Sequence, residues 1–190
     1  MGSAAGSRPT PRKLGNQRDS LGRPVEEVPT SMAVGAGISA GSGTIYARSV
    51  VREGDIITTR YVIDLTGLSA AAAGDIIGTA GVSHFGQITD AVNGRIMGGT
   101  MVCTEAPAGG DADIDLYAAP DATGAYDGAI TGLSGDTQAT NAGTSSLGTT
   151  GHVIADSIDS GDYLYLVSVG ATAAAYTAGR FVITLFGRVV

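Results

Sequence analysis

The chain has 190 residues, a net charge of −7, 30 glycines and only 15% charged residues, against about 25% charged in an average protein. Glycine, alanine, serine and threonine make up about half of it, with no G-X-Y period for collagen, no heptads for a coiled coil and no apolar run of about 18 residues for a membrane helix. Cys103 is the single cysteine, so no intrachain disulfide is possible, and residues 1–31 lack the apolar stretch of a signal peptide.

Residues 1–32 read as an extended arm. They hold Arg8, Arg12, Lys13, Arg18 and Arg23 against Asp19, Glu26 and Glu27, together with four of the six prolines. Without hydrophobic periodicity, such a segment cannot bury enough apolar surface to offset its ordering entropy. It is expected to be disordered alone and to order along a partner surface. The five cations are the candidate partner-binding residues. Met32 reads as a second start, which makes the arm an extension of an older domain.

Residues 33–43 form a Gly/Ser link. Gly37-Ile38-Ser39-Ala40-Gly41 matches the G-x-S-x-G nucleophile elbow, but that turn needs a helix after the serine, and here more glycines follow. Gly35–Ala40 matches G-x-G-x-x-A without the flanking strand and helix of a dinucleotide site. Both matches are cheap in a Gly-rich segment.

Residues 44–190 form the body, with six arginines, no lysine and fifteen acids. Nucleic acid is not an expected partner, because its phosphates are bound by Lys and Arg. Runs rich in Ile, Val, Thr, Tyr and Phe predict strands at Thr44–Val51, Ile56–Leu65, Gly86–Val92, Arg95–Thr104, Ala112–Ala118, Asp162–Val169 and Arg180–Phe186. Ala129–Leu133 and His152–Ile154 are weaker candidates. Asn93-Gly94 predicts a type I′ hairpin. The Gly-Asp pairs at 54, 74 and 161 predict turns leading into strands. Pro120–Gly151 reads as including a long surface loop. This pattern predicts an all-β fold, a β-sandwich of jelly-roll type with an extended N-terminal arm.

Two strands are apolar on both faces. In Asp162–Val169, Tyr163, Tyr165 and Val167 oppose Leu164 and Leu166; in Arg180–Phe186, Phe181, Ile183 and Leu185 oppose Val182 and Phe186. A strand covered on one side alternates apolar with polar. Two apolar faces therefore predict a second cover, for which a subunit interface is one source.

Chemistry-bearing residues are few. Asp111, Asp113 and Asp115 fall on one strand face and resemble a cation site, although simple amphipathic alternation explains them. The EF-hand glycine and glutamate are absent. His84 and His152 are the only histidines and too few for a zinc site alone. Cys103 falls in an apolar strand and reads as a small buried hydrophobe. No catalytic residue, cofactor site or metal set emerges.

Several stretches together resemble a known family. They are Gly74-Asp-Ile-Ile-Gly78, the run from Glu105 to Tyr117, Tyr163-Leu-Tyr-Leu-Val167, and Tyr176 to Gly187. They look like small virion structural proteins of tailed, particularly marine, bacteriophages, over roughly residues 44–187. The resemblance implies a capsid decoration (cement) protein on the virion surface, with the major capsid protein as partner. The doubly apolar strands add a homo-oligomer, expected as a trimer. No membrane partner is expected. The alternatives are a head-fibre or tail surface component, or a carbohydrate-binding β-sandwich module; absent Trp and sparse Tyr weigh against sugar stacking.

Overall fold

The computed structural model describes residues 12–18, 24–27, 35–39 and 46–190. In chain order the elements are β1 (Arg12–Arg18), β2 (Pro24–Glu27), the single turn α1 (Ala36–Ser39), β3 (Tyr46–Glu53), β4 (Ile56–Asp64), β5 (Ser69–Ala70), β6 (Asp75–Ile76), the single turn α2 (Asp90–Asn93), β7 (Arg95–Ala108), β8 (Ile114–Ala119), β9 (Thr137–Gln138), β10 (Thr150–Val153), β11 (Tyr163–Ser168), β12 (Ala174–Ala175) and β13 (Ala178–Arg188). They make an all-β sandwich. The large sheet has the order β1-β2-β3-β4-β13-β7-β10, the small sheet β6-β11-β8-β9, and β5 pairs with β12 apart.

Alternation decides which side of the large sheet is wet. In β13 each odd residue from Gly179 to Gly187 is buried while its even neighbours are not. β4 repeats this, with Ile57, Thr59, Tyr61 and Ile63 inside and Ile56 and Arg60 exposed. Phe181, Ile183, Leu185, Tyr61, Ile63, Met101 and Cys103 face Ile114, Leu116, Leu164 and Leu166 of the small sheet in one core. Tyr61 and Phe85 meet edge to face, 5.2 Å between centroids, a favoured aromatic geometry.

The Gly-Asp pairs lead into strands through positive φ. Gly54 (φ 64), Gly74 (φ 84) and Gly161 (φ 107) each precede a strand. Gly54-Asp55 makes the two-residue hairpin between β3 and β4, closed by the Glu53–Ile56 pair.

Four expectations change. Asn93-Gly94 is not a hairpin turn: Asn93 ends α2, with its side-chain carbonyl accepting from Thr89 N and its amide donating to Thr59 Oγ1. Gly86–Val92 is not a strand. Its backbone bonds to β11 irregularly, Leu164 N donating to Gly86 O and Ile88 N to Asp162 O. Ala129–Leu133 holds a 3-10 turn at Ile130–Gly132. Finally, two segments of the arm have intrachain partners: β1 pairs with β2, and β2 pairs with the edge of β3.

The second cover of β11 also comes from within the chain. Tyr165 and Val167 are fully buried, packed with Ile76, Ala119 and Ile130, with Leu133 and Tyr117 alongside. The segment after β8 thus folds back over the outer face of the small sheet, so the apolar second face of β11 is no argument for a subunit interface. β13 differs: Val182 and Thr184 are half-buried, and Phe186 is 41% exposed.

Candidate functional site

Of the five arm cations, Arg12, Lys13 and Arg18 lie on β1, at the edge of the large sheet; Arg8 and Arg23 lie outside the described residues. The register sets Arg12 opposite Glu27 and Lys13 opposite Glu26. Glu26 in turn stands opposite Arg52 of β3. Basic and acidic positions thus stand opposite one another in the register of these strands. That signal, basic Arg12-Lys13 against acidic Glu26-Glu27, was present in the sequence.

The link glycines have a packing role. Gly35 N donates to His84 O at 2.8 Å and Gly37 N to Val82 O at 2.7 Å. A Cβ on Gly35 would run into the Val82 carbonyl, and one on Gly37 into the Ser83 hydroxyl. Ile38, directly after Gly37, is fully buried in the core. Gly35–Ser39 is therefore a plug docked on the body, and its glycines serve close backbone approach.

The three aspartates do not converge. Asp111 accepts from Asp113 N and Thr172 N; burial works to raise its pKa, but these bonds outweigh it and hold it low. Asp115 is buried and accepts from Gln138 Nε2, Thr140 Oγ1 and Ala142 N. Asp113 is raised by burial and then by the charges of Asp115 and Asp111. Among the described residues no group of three or more His, Cys, Asp or Glu is placed to hold a metal ion.

His84 is buried against Tyr163, 4.8 Å between ring centroids, and burial lowers its pKa. His152 is exposed on β10 in the other sheet. Cys103 is buried, its thiol donating to Glu105 O at 3.2 Å and pushed up in pKa by burial, which makes it a poor nucleophile.

The surface that stands out is the outer face of the large sheet. Val62, Val182 and Val102 stand in register on β4, β13 and β7, all half-buried. Arg60 is exposed among them, opposite Ser49 and Thr184. Met97 and Phe186 are 45% and 41% exposed. Arg180 donates to Asp64 at 2.7 Å and lies 3.7 Å from Glu105. At the opposite end of β13, Arg188 stands directly opposite Arg95 of β7. These two line a concave patch with Met97, Val189 and Val190. Arg60, Arg95 and Arg188 form no ion pair among the described residues. A solvated antiparallel face is normally polar; this one mixes Ser49, Thr58, Thr100 and Thr184 with the three valines, Met97 and Phe186, and carries three arginines without an ion pair among the described residues.

No family model, curated protein or solved structure matches the chain. No helix among the described residues is long and apolar enough to cross a membrane.

Proposed function

We propose that the chain is a structural protein of a phage virion: a capsid decoration (cement) protein that binds the major capsid protein on the head surface as a homotrimer. Strand order is the observation that carries this reading. After the consecutive run β1–β4 in the large sheet, the chain crosses repeatedly between the two sheets, with β6, β8, β9 and β11 in the small one and β7, β10 and β13 in the large one, a crossing pattern that supports a jelly-roll reading. That architecture recurs in viral capsid proteins and lectins. The resemblance of residues 44–187 to phage structural proteins selects between the two. The basic strand β1 at the sheet edge adds a segment suited to clasping a neighbour.

Mass spectrometry of purified virions tests the placement, and a capsid map tests the lattice position. The chain is expected in virions at a copy number that is a multiple of three. Light scattering is expected to give three times the mass of one chain. Absence from virions together with a positive glycan array would replace this reading with the carbohydrate-binding alternative.

A further inference from the structure

We propose that the Arg95–Arg188 end of the large sheet's outer face grips a carboxylate on a partner protein surface; that this partner is the capsid rests on the function proposed above. The two arginines are directly paired across β7 and β13. Like charges at such positions repel, at side-chain separations of about 5 Å. The chain carries 18 acids, yet none of the described ones pairs with either guanidinium. A local arrangement that disfavours the free protein points to a function elsewhere.

The chemistry of the missing component follows from the lining. Two guanidinium groups present planar forks of donors that match carboxylate oxygens bidentately. The aliphatic side of the patch, Met97 with Val189 and Val190, takes an apolar residue beside that carboxylate and keeps water from the ion pair. Phe186 and Arg60 extend the same face toward its centre. The fit is thus to an acidic side chain flanked by an apolar one on a protein surface.

Charge placement excludes the nearest rivals. All six body arginines lie on β3, β4, β7 and β13 of this sheet, whereas Asp111–Asp162 contains acids and no Lys or Arg. A second copy packed through the same face would set arginines on arginines. Nucleic acid would meet the acids of the remaining body.

Citrate, a tricarboxylate, serves as the probe, added to the full chain at constant ionic strength. The wild type is expected to gain about 3–6 °C in melting temperature at about ten times the citrate dissociation constant. Arg95→Gln and Arg188→Gln should lose most of that gain. They should also melt no lower than wild type without citrate, since each removes a repulsion. Asp136→Asn, on the acidic side, should behave as wild type. An undiminished citrate gain in both arginine variants overturns the site, as does self-association of the wild type that these variants abolish. The second arm is co-sedimentation with virions stripped of the protein, where the arginine variants should bind at least tenfold more weakly. If wild type binds and the variants bind equally, the site is wrong while the capsid reading stands. If wild type fails to bind, the capsid reading falls and the citrate arm decides the site.

Discussion

Asp127 is the only described residue other than glycine with a positive φ, 62°. It belongs to the segment that covers Tyr165, and its N–H donates to Ile76 O at 3.3 Å. Its carboxyl meets that of Asp75, whose pKa is raised first by burial and then by this neighbour. A raised carboxyl contributes stability that is complete below the unfolded Asp value of about 3.9 and is lost as pH climbs through the folded value. Asp127→Asn keeps a residue that tolerates positive φ and removes the like charge. We expect a rise of roughly 1–3 °C in melting temperature at pH 7, shrinking to nothing near pH 3; a gain independent of pH would show that the carboxyl pair is not its source. Gly35 makes a second case. Gly35→Ala drives a methyl into the Val82 carbonyl, and relieving that contact unseats Ile38. The expected loss is about 1–3 kcal/mol for overpacking, and Ile38→Ala should lose about 2–5 kcal/mol. Denaturant titration of both checks the docked plug; were Gly35–Ser39 a flexible link, both would be neutral.

At the scale of elements, β4, β7, β8, β11 and β13 were legible because each has enough residues for a period to register. β5, β6, β9 and β12 have two residues each and carry no period at all. Asn93-Gly94 misled because turn chemistry is local while its outcome is not: the Asn93 amide found Thr59, 34 positions away, and was spent on holding α2 against β4. The two apolar faces of β11 were read correctly as both covered. Which surface covers the second was not legible, since periodicity reports burial and is blind to whether the cover is Ile130 of the same chain or a neighbour. The arm failed for a different reason. β1 and β2 pair in a register that sets Lys13, Glu26 and Arg52 in one cross-strand row, a long-range pattern invisible to an argument from apolar content. This row predicts that removing residues 1–27 leaves a cooperative sandwich but exposes the β3 edge. Hydrogen exchange should show amides of β3 losing protection while those of β13, two strands further in than β3, keep theirs. The double variant Arg12→Glu, Lys13→Glu should loosen the same edge at low salt. Unchanged protection in β3 would mean that β1 and β2 do not hold that edge in solution.

For the whole molecule, the sandwich is electrically two-sided. Its cations lie on one sheet and most of its acids on the other sheet and the connecting loops. A net charge of −7 favours solubility, while a cationic sheet would orient each copy on an acidic partner of the kind proposed above. On a capsid, this would turn the acidic side outward and keep a particle covered with many copies soluble. Each contact is then partly electrostatic and exposed, and charges further apart than about 10 Å are screened at 0.1 M salt. A trimer offsets weak single contacts by linking three of them, which raises avidity without new interactions. The resulting expectation is mechanical and salt-dependent. Decorated particles should withstand a higher temperature and a stronger osmotic shock before releasing DNA than particles lacking the protein. That advantage should narrow as salt rises, and the protein should come off before the shell fails. Restoring purified protein to bare particles should restore the threshold. Equal release thresholds for decorated and bare particles, with the protein demonstrably bound, would remove shell stabilisation from its role and leave adhesion or host contact as the function to which the same outward-facing acidic side would have to be fitted.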